Sequence, residues 1–350
     1  MSHEIPEFAS KSEDNAGSNG LMTLKLPPYR DIFMSKIIGV GSYLPGHPIS
    51  NHDLAKLVPD VDSDWIESRT GILSRHFAPE SEFTSHMATK AALLAIADAQ
   101  ISPDDIDLII VATTTPDNSF PSVAAKVHSA LGITRPIPAF DMQAVCAGFV
   151  YGFEIAENFI NSDKYNNVLL IGADKMSSIL DMSKRNCSVL FGDGAGAVII
   201  VKDDRSQVLA SKIYSDGSLV DILYTDGGVS STKTSGFVQM NGREVFRHAI
   251  EKMSTSIEDV LQMSNISADD VDFLVPHQAN VRIIDGIAAR LNFPDKKIVK
   301  TVSKHANCSA ASIPLALDEL DKSGRLKRGD LLLMTALGAG ITWGSVLLRW

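Results

Sequence analysis

The chain contains a copy of part of itself. Ser102-Pro-Asp-Asp-Ile-Asp-Leu-Ile-Ile-Val111 recurs as Ser267-Ala-Asp-Asp-Val-Asp-Phe-Leu-Val-Pro276, and in each place a helical segment and a short turn lead into an apolar strand. A match that spans helix, turn and strand together marks a duplicated unit. No other feature restricts the fold as much, because it calls for two similar α/β halves. Helical patterning at Ser85 to Ala99 alternates with strand-like Leu108 to Val111 and Val168 to Ile171, and the chain ends in a hairpin pattern over Leu331 to Trp350. The correspondence extends further. The apolar run before Cys146 and the helix after it match Ile298-Val-Lys-Thr-Val302, then His305-Ala-Asn307-Cys308-Ser, then a helical Ser312 to Leu320. In two halves related by a pseudo-twofold, equivalent strand ends meet at a common cleft. The halves are expected at residues 34–204 and 205–350.

Composition narrows the partners. With 45% hydrophobic residues over 350, the chain can bury a large core. A formal net charge of −10 with no long basic run argues against nucleic acid as the main partner. Three cysteines, Cys146, Cys187 and Cys308, form neither a ligand set nor an even disulfide framework, so a reducing cytoplasm is expected and a metal site is not. No apolar run approaches a membrane span. Residues 1–33 are rich in Ser, Glu, Asp, Asn and Gly and lack the apolar core of a secretory signal. They read as a disordered extension or as foreign to the native protein, with Met34 as an alternative start.

Chemistry concentrates at Ala139-Phe-Asp-Met-Gln-Ala-Val-Cys146-Ala-Gly-Phe149, where an apolar run ends on a cysteine and a helical pattern begins. A thiol in a helix's first turn meets free N–H groups and the positive end of the macrodipole, which favour the thiolate. From the second half, His277 closes one strand and Asn307 follows another; imidazole and amide donors together suit a developing enolate. Taken singly, each has a plainer reading: Cys146 as a small buried hydrophobe, His277 as a structural histidine, Asn307 as a turn residue. Joint placement at equivalent strand ends favours a catalytic set. Gly338-Ala339-Gly340 is either a tight hairpin or a close backbone approach that joins the Ala339 N–H to that of Cys146 in an oxyanion hole. Gly192-Asp-Gly194-Ala-Gly-Ala197 fits a dinucleotide fingerprint, but it leads into the strand-like Val198-Ile-Ile-Val201, where the fingerprint needs a helix. NAD is therefore rejected.

Cys146-Ala-Gly-Phe, Pro276-His277-Gln-Ala-Asn280 and His305-Ala-Asn307-Cys-Ser-Ala-Ala-Ser312 together resemble the β-ketoacyl-acyl carrier protein synthase III family of the thiolase superfamily. The resemblance runs from about Ser35 to Trp350 and takes in Trp65-Ile-Glu-Ser-Arg69-Thr-Gly-Ile72, Phe191-Gly-Asp-Gly-Ala-Gly196 and Thr342-Trp-Gly-Ser345. It implies an α/β, thiolase-like five-layered αβαβα fold of two duplicated halves, a cytoplasmic homodimer, and initiation of type II fatty acid synthesis. In such enzymes the cysteine, here Cys146, takes an acyl group from acyl-CoA. Malonyl-acyl carrier protein then loses CO₂, and the carbanion attacks that thioester to give a 3-oxoacyl product. His277 and Asn307 match the pair that stabilises the enolate. Decarboxylation supplies the carbanion, so no metal or organic cofactor is expected.

The resemblance also implies Trp65, Arg69 and Asn280 as CoA and pantetheine contacts. It implies Arg247, Arg282 and Arg290 as receivers of the acidic carrier protein. Phe120 and Leu337 become acyl-pocket residues, Phe120 across a dimer interface. A Trp face with a nearby arginine suits adenine and phosphates. On a helix from Gln278 to Leu291, Ile283, Ile284, Ile287 and Leu291 face the core while Arg282 lies outward. Departures from the family are Leu337 for a common phenylalanine, Ala339 for one glycine of a triple-glycine loop, and Ala306 for the glycine of His-Gly-Asn. Cys308 replaces a common threonine, and Ser178 stands where some relatives have an arginine that stacks on adenine. Acetyl is the expected starter. Two other readings stay open: a specialised condensing enzyme with a longer or branched starter, and a Cys-His-Asn thioesterase or hydrolase, which shares the residue order but not the duplication.

Overall fold

The computed structural model describes residues 35–203, 205 and 207–350, so the expected extension at 1–33 and the alternative start at Met34 lie outside the described residues. The first half runs β1 (Ser35–Tyr43), β2 (Ile49–Ser50), α1 (Asn51–Leu54), α2 (Ser63–Thr70), β3 (Ser74–Arg75), α3 (Thr84–Ala99), β4 (Leu108–Ala112), α4 (Val123–Ala130), β5 (Ala139–Met142), α5 (Gly148–Asn161), β6 (Asn167–Asp174), α6 (Arg185–Ser188) and β7 (Gly194–Lys202). The second runs β8 (Val208–Ser215), β9 (Leu223–Thr225), β10 (Val238–Met240), α7 (Gly242–Ser264), β11 (Phe273–Pro276), α8 (Val281–Leu291), α9 (Val302–His305), α10 (Ser312–Lys322), β12 (Leu331–Gly338) and β13 (Thr342–Arg349).

Each half builds one large mixed sheet, ordered β1-β7-β6-β4-β5 and β8-β13-β12-β11. The sheets agree strand for strand in sense: β1–β7 and β8–β13 are antiparallel, as are β7–β6 and β13–β12, while β6–β4 and β12–β11 are parallel. The repeated peptide forms the same capped turn twice. Ser102 and Ser267 donate their N–H groups to Asp105 at 2.8 Å and Asp270 at 3.2 Å, ahead of β4 and β11.

α3 and α4 cover the outer face of the first sheet, α7 and α8 that of the second, and α5 and α10 lie between the two. This is the thiolase-like five-layered αβαβα fold. With both faces of each sheet covered, the strands read as continuous apolar runs, and residues sort by parity. Leu108 and Ile110 of β4 join the central core with Leu332 and Met334 of β12, whereas Ile109 and Val111 face the outer core under α3. α5 fills the middle with Phe149, Val150, Phe153, Ala156 and Ile160, all fully buried. The Gly192–Ala197 motif does lead into a strand, β7; Gly196 is needed there because a Cβ would lie 2.7 Å from Pro314 Cβ of α10. Among the described residues no helix is long and apolar enough to cross a membrane.

Two expectations change. The strand expected at Ile298 to Val302 is reduced to one parallel bridge from Ile298 to Leu274, beside a Val299 N–H bond to the Leu274 carbonyl at 2.9 Å. The ladder stops because Gln278 Oε1 takes the next N–H groups, those of Thr301 at 2.8 Å and Val302 at 3.1 Å. The helix expected from Gln278 begins at Val281, because Asn280 caps it by accepting the Arg282 N–H at 2.9 Å. Its buried stripe is Ile283, Ile284, Ile287 and Ala288, with Leu291 half-buried.

α5 also carries a buried acid. Glu157 accepts the Ser35 hydroxyl, and burial, reinforced by Glu154, raises its pKa to about 8. The native state therefore keeps a proton that the unfolded chain releases near the ordinary carboxylate range. Stability should fall as pH rises from that range and level off above about 8, by on the order of 5 kcal/mol from this residue. Asp174 and Asp193, also raised by burial, add to the same slope. Glu157→Gln should flatten it; chemical denaturation at about pH 5 and about pH 9 measures this, and a variant with the wild-type slope would rule out Glu157 as its source.

Candidate active site

Cys146 lies in the short 3₁₀ turn Val145–Ala147 that joins β5 to α5, one turn ahead of the helix proper. Val145 holds φ at +48°, a left-handed conformation unusual for a β-branched residue and costing about 1–3 kcal/mol. The surroundings enforce it. Thr342 Oγ1 donates to the Ala144 carbonyl at 3.0 Å, and the end of β12 packs so closely that a Cβ on Gly338 would lie 2.5 Å from Ala144 O and 2.9 Å from Cys146 N. The hairpin tip thus carries Ala339 alongside Cys146 on the wall of one cavity.

The sequence expectation of a resting thiolate does not hold. Burial pushes the Cys146 thiol up to about 12, more than the neighbouring Ser309 hydroxyl draws it down. That hydroxyl lies beside the thiol and the buried Asp174 carboxyl without closing a bond of normal geometry to either. At rest the group is a neutral thiol, and it ionises only as it reacts.

His277 follows β11 directly and Asn307 follows α9; both are buried and line a cavity of about 170 Å³ together with Cys146. Asn307 Oδ1 accepts the Ser309 N–H at 2.9 Å, which turns its amide donors away from that bond. Burial lowers the His277 pKa to about 3, so the imidazole is neutral. Ala306, between His305 and Asn307, holds φ +56° and ψ −159°, a conformation suited to the glycine that the family resemblance implies at this position.

Gln278 is a residue the sequence reading passed over. Fully buried, it donates to the Pro276 carbonyl at 2.7 Å and the Val299 carbonyl at 3.0 Å while accepting from Thr301 and Val302. All its polar capacity goes into tying the His277 loop to the segment that leads to Asn307. Its only signal was its place inside Pro276-His277-Gln-Ala-Asn280.

Cys146 belongs to two cavities. The smaller one, between α7 and the start of α8, is lined by His277, Asn307, Asn280, Phe246 and Leu337. The other, about 440 Å³, has Met176, Ile179, Val220, Leu223 and Val238 on its walls. Leu337 therefore sits with His277 and Asn307 and not in the larger cavity. Phe120 lines neither and is 85% exposed. Cys308 also lines neither; its thiol faces the His305 carbonyl at 3.2 Å.

The residues expected to bind nucleotide and carrier share one side. Asn280 Nδ2 donates to the Arg69 carbonyl at 3.1 Å and Arg282 to the Ser68 carbonyl at 2.8 Å, so α8 is tied to α2, which bears Trp65. Arg69, Arg247, Arg282 and Arg290 are exposed, and Arg247 pairs with Glu244. The arginine thought lost at Ser178 has a counterpart: the Arg185 guanidinium stands 5.0 Å over the Trp65 ring and donates to the Asp60 carbonyl at 2.7 Å. Ser178 only closes a local turn by donating to the Lys175 carbonyl. Among the described residues no group of three or more His, Cys, Asp or Glu could hold a metal.

A family model described as 3-oxoacyl-[acyl-carrier-protein (ACP)] synthase III matches residues 140–217, and its C-terminal counterpart matches 261–350. The β-ketoacyl-[acyl-carrier-protein] synthase III of Rickettsia felis is 58% identical over 316 residues, covering 90% of this chain and 99% of that one. The crystal structure of 3-oxoacyl-[acyl-carrier-protein] synthase III from Aquifex aeolicus superposes with a TM-score of 0.86 at 46% identity, over 90% of this chain and 100% of that one. The corresponding enzyme of Pseudomonas aeruginosa gives 0.85 at 38% identity, over 91% and 98%. Fold, matched regions and identity agree, and the chain belongs to the β-ketoacyl-[acyl-carrier-protein] synthase III family.

Proposed function

We propose that this protein catalyses the initiating condensation of type II fatty acid synthesis by relaying an acyl group through Cys146. The supporting observation is that Cys146 lines one cavity together with His277 and Asn307 and also borders a second, larger one. Acyl-CoA enters along the cavity that holds His277 and Asn307, its nucleotide at Trp65 and Arg185 near Arg69 and its pantetheine arm past Asn280. The sulfur attacks the thioester carbonyl, the acyl group passes to Cys146, and the proton lost from Sγ ends on the departing CoA. Malonyl-acyl carrier protein then docks on Arg247, Arg282 and Arg290 and loses CO₂. His277 and Asn307 donate to the enolate oxygen, and the carbanion attacks the Cys146 thioester while the N–H groups of Cys146 and Ala339 hold the oxyanion; its collapse breaks the C–S bond, frees the 3-oxoacyl-acyl carrier protein and expels the Cys146 thiolate, which takes a proton from solvent. The chemistry needs no metal or organic cofactor, because the lost CO₂ leaves its electron pair behind.

Acetyl is the default starter. The larger cavity, of about 440 Å³, exceeds what a two-carbon group needs and favours, as a second reading, a longer or branched one. Two copies are proposed to pair along β5, an edge strand of its sheet, with Phe120 closing the partner's chamber. Family membership removes the hydrolase alternative. Intact-protein mass spectrometry after incubation with mixed acyl-CoAs tests the proposal. A single acyl adduct that disappears on adding malonyl-acyl carrier protein, with 3-oxoacyl product appearing, supports it. Release of free acid without carbon–carbon bond formation would refute it.

Arg185→Ala should raise the KM for acyl-CoA by about 10-fold with little change in kcat, since a lost stacking and phosphate contact costs on the order of 1 kcal/mol or more. Unchanged steady-state KM would remove Arg185 from the CoA site.

A further inference from the structure

We infer that Ser312 is a positioning residue that fixes the tautomer of His277, a conclusion that rests on the condensing role just given to this histidine. Ser312 opens α10 and is buried beside the His277 ring. Its Oγ lies 2.6 Å from His277 Nδ1 and accepts the Gln278 N–H at 3.3 Å. A hydroxyl has one proton and two lone pairs. With Gln278 occupying a lone pair, the proton has one acceptor among these contacts, the Nδ1 lone pair. The opposite arrangement, Nδ1–H donating to Oγ, would leave the Ser312 proton without a partner in a dry interior, at a cost of about 1–3 kcal/mol. The ring is therefore protonated at Nε2, the nitrogen left for the cavity shared with Cys146 and Asn307.

The consequence is chemical. A neutral imidazole with Nε2–H is a hydrogen-bond donor toward the cavity, which an enolate oxygen requires; the other tautomer would present a lone pair and repel it. The same state keeps Nε2 from taking the Cys146 proton, in agreement with transfer of that proton to the departing thiolate. Ser312 touches no reacting atom and acts only through His277.

The test has two parts. In ¹⁵N-histidine NMR of the wild-type protein, the signal assigned to His277 by its absence in His277→Ala should show Nδ1 unprotonated and Nε2 protonated; a protonated Nδ1 would overturn the inference. In Ser312→Ala, acyl-enzyme should still form, while condensation falls about 10- to 100-fold and the His277 signal reports a mixture of tautomers. Ser312→Thr, which keeps the hydroxyl, should recover the wild-type tautomer. Unchanged condensation in Ser312→Ala, or equal loss of acylation and condensation, would also overturn it. A wild-type protein that takes no acyl group from any acyl-CoA would refute the condensing role and leave the tautomer result standing.

Discussion

Cys146→Ala should abolish acyl-enzyme formation and reduce turnover of acyl-CoA by on the order of 10⁵-fold, while malonyl decarboxylation persists. No neighbouring group can take over. Cys308 lines neither cavity and is enclosed against the His305 carbonyl. Ser309 is buried, and an alcohol is a far weaker nucleophile than a thiol. The substitution removes one small buried side chain from a turn held by Gly338 and Thr342, so the fold should survive. Intact mass after incubation with acyl-CoA, beside a CO₂-release assay on malonyl-acyl carrier protein, separates the two half-reactions. An alanine variant that still carries the acyl group would show that another residue is the nucleophile.

The complementary result is expected at the polar pair. His277→Ala and Asn307→Ala should each accept the acyl group and then lose condensation by about 10²- to 10³-fold, the usual cost of removing one donor from an oxyanion site. The wild-type condensation step should show no inflection from His277 at neutral pH, because burial keeps its pKa at about 3 and the imidazole is neutral throughout that range. Protonation would matter only on strong acidification, where an imidazolium must be accommodated in a dry site. Single-turnover condensation from preformed acyl-enzyme, followed against pH, checks both statements. Loss of acylation with retention of condensation would reverse the assigned roles.

Charge and hydrogen bonding explain where the sequence reading of the site needed revision. The helix-end argument for a Cys146 thiolate considered only the favourable dipole. The tertiary structure adds the desolvation of a thiol enclosed by both halves, and that term is larger. The strand read at Ile298 to Val302 has the right apolar pattern, but Gln278 competes for its N–H groups. Arg185 was missed because nothing local marks it. Its partner Trp65 is far off in sequence, and only the packing of α6 against the Asp60 to Trp65 segment brings them together.

Several features were determined by the sequence alone. The duplicated peptide required two matching α/β halves, since a capped turn feeding an apolar strand forms from local interactions wherever it recurs. The strand signal at Val198 to Val201 set the glycine motif in a strand, where a dinucleotide fingerprint needs a helix, and Cys146, His277 and Asn307 stood out as residues whose chemistry fits together. The tertiary structure alone decided the protonation of the thiol, the division of the space around it into two cavities, and the hydrogen bonds from Ser312 and Gln278 that hold His277 and the segment leading to Asn307. These depend on burial and on contacts between segments distant in the chain, and a side chain's desolvation and partners are not encoded in its immediate neighbours.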